Sequence, residues 1–243
     1  DIFHYRAPKP TVLLEFRGLL DEITWENPHI KKIYLLRGNH DTVSKSDSSE
    51  TVLDLFNTDT VYSVSGPWFD NELALHFIPH YESTNIIEKY LASTDIDCNK
   101  QKPGLRKNCA TVFGHFGYTG CLNSIGINDF SVDIKHFKYK TFLGHIHKFK
   151  EEGNITVLGT PWSTSFTECD YPHYYAILTG DGLAEYKTEI KEIDFGVRHY
   201  VIPFEALEAN KEDISNPKYK TILRVLISKF DPNGILANPS ELR

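Results

Sequence analysis

The sequence predicts an α/β protein, and two patterns carry that prediction. Short apolar runs each stop at a polar or glycine-bearing turn, and stretches with helical spacing lie between them. The runs are Lys32–Leu36 before RGNHD, Ala110–Phe113 before GHFG, Thr141–Leu143 before GHIH, and Ile155–Leu158 before GTPW. Such runs read as buried strands, and turns at their C-terminal ends are where α/β sheets place ligands.

The other elements follow in order. Thr11–Ile23, after a proline-bearing loop, has helical spacing, as does Thr84–Ala92, which Ser83 or Thr84 is placed to cap. His76–Pro79, Tyr174–Leu178 and Leu183–Ile190 read as further strands, partly antiparallel at hairpin spacing. From Phe204 the pattern changes to a polar segment (EANKEDISNPKYK), one strand (Thr221–Ser228) and FDPNGILANPSELR. The expected division is therefore a layered α/β domain over 1–203 and the beginning of another unit over 204–243.

Composition narrows the function classes. A hydrophobic fraction of 40% is ample for a core in a chain of 243 residues, and no apolar run reaches the ~20 residues of a membrane span. The net charge of −7 opposes a protein that grips nucleic acid unaided over a broad basic face. Cys98, Cys109, Cys121 and Cys169 form no CxxC pair, which predicts reduced thiols and an intracellular setting, cytoplasmic or nuclear.

Three turns hold the chemistry: Gly38-Asn39-His40-Asp41, Gly114-His115 and Gly144-His145-Ile146-His147. In each, a glycine lets the backbone turn sharply at a strand end, and the next side chain projects into the crevice above the sheet. Imidazoles with an amide oxygen and a carboxylate form an N/O donor set suited to Mn²⁺, Fe²⁺ or Zn²⁺. One such turn alone is an ordinary turn, whereas three in this order point to a metal site. His76 and His80 read as structural or loop residues by comparison. Lys100, Lys102, Arg106 and Lys107 form a basic loop, which reads either as a solvated insertion or as a contact to a DNA backbone. Lys135, Lys138, Lys140, Lys148 and Lys150 surround GHIH with positive charge, and Trp162 reads as a packing residue bracing the metal loops.

In these motifs the chain resembles the calcineurin-like metallophosphoesterases, whose pattern runs D-x-H, G-D-x-x-D/H, G-N-H-D/E, a GH pair and G-H-x-H. DIFH with its proline-bearing loop, and LGTPW (Leu158–Trp162) with the TSFTECDYPHYYAIL that follows, resemble the nuclease branch, the Mre11/SbcD-type subunits and similar phage recombination nucleases. The likeness spans about residues 1–200 and implies a layered β-sandwich flanked by helices, with the start of a small C-terminal capping domain. It also implies a hydrolase, a DNA exo/endonuclease of repair and recombination, using two Mn²⁺ ions, with Mg²⁺ or another divalent cation as substitute.

By resemblance Asp1 bridges both metals, Asn39, His115 and His145 complete one ion, and His147 belongs to the other. His40 stabilises or protonates the leaving oxygen, Asp41 orients His40 or its loop, and His4 places the DNA phosphate. The first motif, D-x-H, does not occur in this chain, which also contains no Met, so the expectation is that it lies on a segment upstream. Implied partners are DNA, a Rad50/SbcC-type ATPase subunit and a second copy of the chain, with no membrane. The competing readings are another metallophosphoesterase, acting on phosphomonoesters or cyclic nucleotides, and a non-catalytic scaffold with a degenerate site. The Arg-rich GDxVDRG motif of protein phosphatases is not matched by DIFHYRAPK.

Overall fold

The computed structural model describes residues 1–45, 50–101, 111–121, 131–169, 171–180 and 186–226, with the side chains of 94–101 and 131 left out. The chain forms two compact units, one from Asp1–Pro161 with Pro172–Ile193, the other from Trp162–Tyr171 with Asp194–Arg243.

The first unit opens with α1 (Pro10–Glu26), which starts on a proline at its first position, where the missing N–H costs no hydrogen bond. It ends where the main-chain and side-chain nitrogens of Asn27 both donate to the Ile23 carbonyl, at 3.1 and 3.0 Å. Its inner face sets Leu13, Phe16 and Leu20 against Phe3, Leu35, Leu53, Phe56 and Val61. Burying each large apolar side chain contributes roughly 1.5–3 kcal/mol. β1 (Ile33–Leu36) pairs in parallel with β2 (Val61–Val64).

A mixed sheet of six strands follows. It is built from β3 (Trp68–Asp70), β4 (Leu75–Ile78), β5 (Thr111–His115), β8 (Lys140–Gly144), β9 (Lys150–Glu152) and β10 (Ile155–Val157), in the order β3-β4-β5-β8-β10-β9. The four central strands are parallel and the two edge strands antiparallel. Between β5 and β8 lie β6 (Gly117–Tyr118) and β7 (Ser131–Val132), a short parallel pair. α2 (Thr84–Gln101) buries Ile87 and Leu91 in a core with Ile78, Val112, Phe116, Leu143, Ile155 and Val157. β11 (Tyr174–Thr179) and β12 (Lys187–Glu192) pair as antiparallel strands.

In the second unit β13 (Gly196–Pro203) pairs in parallel with β14 (Tyr219–Leu226), and α3 (Lys211–Ile214) lies between them in the chain. Arg198 stacks over the Tyr219 ring at 3.7 Å, and Ser163 Oγ lies 2.9 Å from His199 Nδ1.

The α/β class holds, as do the four strands that precede the glycine turns. The helices run longer than their periodicity predicts, to Glu26 rather than Ile23 and to Gln101 rather than Ala92, because burial of one face carries polar ends along. Trp162 is 45% exposed and packs against Gly196 within the second unit. Among the described residues, no helix is long and apolar enough to cross a membrane.

Candidate metal centre

Parallel pairing levels the C-terminal ends of the central strands. Ile78 pairs with Gly114, Gly114 with Leu143, and His115 with Gly144, so three strand ends open at one edge. The turn after β1 is tied to the same edge, because the His80 N–H donates to the Arg37 carbonyl at 3.0 Å and Arg37 Nη2 donates to the His80 carbonyl at 2.7 Å.

Asp1, Asn39, His115 and His145, among the expected metal ligands, meet there. Asn39 Oδ1 lies 3.3 Å from His115 Nε2 and 3.0 Å from His145 Nδ1, and Asp1 Oδ2 lies 3.4 Å from His115 Nε2. The main-chain nitrogen of Asp1 sits 3.1 Å from His115 Nδ1, and Asp1 Oδ1 accepts the His40 N–H at 2.7 Å. Residues 1, 39, 115 and 145 come from four separate segments. His147 follows the buried Ile146, and its carbonyl accepts the Thr160 N–H at 3.1 Å.

Two glycines make this approach feasible. A Cβ on Gly38 would stand 2.1 Å from Asp1 Oδ1, and one on Gly144 would stand 2.9 Å from His115 Nδ1. His145 itself adopts φ 81°, a conformation that side-chain-bearing residues avoid and that collects at functional sites.

The donors fit a divalent cation. Atoms bound to one ion at roughly 2.1 Å sit about 3.0 Å apart in an octahedron and about 3.4 Å apart in a tetrahedron. The measured separations of 3.0, 3.3 and 3.4 Å span that range. Burial, with His145 adding to it, holds His115 well below the usual histidine range. It is therefore a neutral imidazole, the form that binds metals. Among the described residues no group of three or more His, Cys, Asp or Glu side chains is placed to hold a metal ion, so the set counts the Asn39 amide oxygen among its donors.

The expected catalytic residues line the same turn. His40 Nδ1 donates to the His4 carbonyl at 2.5 Å, which leaves Nε2 as the nitrogen able to face a substrate, and the two rings lie 6.0 Å apart. His4 is exposed beside Tyr5. Asp41, fully buried, accepts the main-chain N–H groups of Ile2, Phe3 and Gly38 at 2.8–3.2 Å. It thus clamps the DIFH segment to the GNHD turn rather than holding the His40 ring.

One residue of the site escaped the sequence reading. His80, 2% exposed, lies 5.6 Å from the His145 ring and 6.4 Å from the His115 ring. Burial, with His145 adding to it, pushes His80 down to about 4. The available signal was its place just beyond the apolar run of β4, the same position that His115 and His145 hold on their strands, but without the glycine. Lys135 and Lys150 are each paired, with Asp133 and Glu152 at 2.7 Å, which cuts the positive potential expected around GHIH. The side chains of Lys100, Lys102, Arg106 and Lys107 lie outside the described residues.

Compared with known proteins, the chain matches no family model. No curated protein matches it either.

Proposed function

We propose that this chain is a metal-dependent phosphodiesterase of the metallophosphoesterase type, a nuclease subunit that hydrolyses DNA. One observation carries the reading: Asp1, Asn39, His115 and His145, from four separate segments, converge at ligand spacing on one sheet edge. Those four would hold one divalent cation, Mn²⁺ by the chemistry of an imidazole, amide and carboxylate set. Such an ion, when bound, supplies Lewis acidity that activates water and offsets phosphate charge.

The chain's own residues supply the rest. With Nδ1–H committed to the His4 carbonyl, His40 presents Nε2, which in the imidazolium form would carry the second proton and deliver it to a departing oxygen. Asp41 fixes the turn on which His40 and Asn39 stand. The net charge of −7 suits a nuclease that leaves part of its grip on DNA to a partner, here a Rad50/SbcC-type ATPase. The layered sandwich and the capping unit of that family belong to the same proposal.

The test compares the chain and His40→Ala, each with Mn²⁺, on linear duplex DNA, on a p-nitrophenyl phosphodiester and on the monoester. DNA and diester cleavage that falls about 10²–10⁴-fold in the variant is the expected result. Rapid monoester turnover with inert DNA transfers the reading to a phosphomonoesterase, and silence on all three leaves a scaffold.

A further inference from the structure

His80 touches three of the turns that build the centre, and it does so with different parts of itself. Its main chain exchanges two hydrogen bonds with Arg37, the residue immediately before GNHD, at 3.0 and 2.7 Å. Its ring nitrogen Nδ1 lies 3.3 Å from the main-chain oxygen of His115. Its ring face lies 5.6 Å from that of His145, at an interplanar angle of 33°. A carbonyl oxygen only accepts, so Nδ1 carries the proton. The contact fixes the tautomer as well as the pose.

His145 stands on a backbone at φ 81°, and the ring of His115 occupies the space that Gly144 leaves open. An imidazole in such a setting keeps its aim only if something packed holds it. His80, buried to 2% exposure, packs near both rings.

We propose that His80 is the positioning residue of this centre, holding His115 by a hydrogen bond to its carbonyl and His145 by ring packing, so that both imidazoles face Asn39 and Asp1. The inference rests on the metal reading and adds a residue that the motifs do not contain. His80 touches neither substrate nor ion. It sets the separation of the ligands and hence the affinity of the site.

The test measures Mn²⁺ binding from the loss of the free-ion paramagnetic resonance signal, beside the melting temperature, for His80→Phe, His80→Asn and His80→Ala. Phe keeps an aromatic ring without the donor. Asn keeps an N–H one bond from Cγ, where Nδ1 stands. Phe and Ala are expected to weaken Mn²⁺ about tenfold or more, with Asn within about threefold of the parent. Unchanged affinity in Phe overturns the proposal, as does a loss in Asn equal to that in Ala that tracks a common fall in melting temperature.

Should Phe fail to fold, a long-range ¹H–¹⁵N spectrum of the unsubstituted, metal-free chain decides instead. His80 must appear as the Nδ1–H tautomer, and the Nε2–H tautomer overturns the assignment. A parent chain that binds no Mn²⁺ removes the metal reading and this inference together. Tight Mn²⁺ binding that ignores His80→Phe removes this inference alone.

Discussion

β1 carries a polar cluster at each end, and the two are built on opposite plans. Before the strand and within it, Lys32 Nζ lies 2.6 Å from Asp70 Oδ2 and 2.9 Å from Glu72 Oε2, while the Tyr34 hydroxyl donates to the same Asp70 oxygen. The second Asp70 oxygen accepts the N–H groups of Glu72 and Leu73 at 2.8 and 3.0 Å. Charge meets charge there, and the acceptors are filled. After the strand, the Asn39 amide oxygen lies 3.3 and 3.0 Å from ring nitrogens of His115 and His145, and an Asp1 carboxylate oxygen lies 3.4 Å from His115 Nε2. The first arrangement is complete as it stands, whereas the second gathers the atoms on which the proposed metal centre rests. The difference teaches that β1 anchors the fold through an ion-paired cluster at its N-terminal end and gathers the candidate site at its C-terminal end, where α/β sheets commonly place ligands.

The sharpest way to break that contrast is Asp41→Ala. Three buried or half-buried main-chain N–H groups lose their acceptor, and the DIFH segment loses its tie to GNHD. Chemical denaturation should show a loss of about 3–5 kcal/mol, against about 1 kcal/mol for a single ordinary hydrogen bond. A loss below that single-bond figure contradicts the clamp.

Gly38→Ala sharpens the contrast by striking only the C-terminal end. The new methyl would land 2.1 Å from Asp1 Oδ1, so Asp1 must leave the site. Mn²⁺ affinity should fall about 10–100-fold by calorimetry. An affinity equal to the parent's would place Asp1 outside the ligand set.

The smallest effect belongs to the N-terminal end and appears only in acid. Burial raises the Asp70 carboxyl, but the hydrogen bonds from Lys32, Tyr34 and the Leu73 N–H outweigh it and bring the group down to about 2. An unfolded Asp titrates near ~3.9, so the stabilisation is full above about pH 4 and fades as pH falls through 2. It is worth about 2 kcal/mol. Denaturation midpoints measured between pH 5 and 2 should show this step in the parent and lack it in Asp70→Asn. Equal acid slopes would show that Asp70 holds no special place.

How much of this was legible in the sequence depends on the range of the contact. RGNHD, GHFG and GHIH are local patterns, and the level ends of His115 and His145 follow from parallel register, whereas Asn39 joins them through the His80–Arg37 contacts, which no local pattern shows. Asp41 was legible as a residue of the site but not as a clamp, because its partners Ile2 and Phe3 lie 39 and 38 positions away. His80 was hidden by Pro79, which replaces the glycine of the other turns and makes HFIPHY look like an ordinary strand exit. The lengths of α1 and α2 escaped periodicity because their polar final turns carry no apolar stripe.

His145 at φ 81° has a further bearing on how this protein can change. Glycine would adopt that backbone without the roughly 1–3 kcal/mol of strain that an imidazole-bearing residue incurs there. A library selected for heat resistance alone would therefore drift toward erasing the very side chain that aims at Asn39. Durability and activity pull this one position in opposite directions.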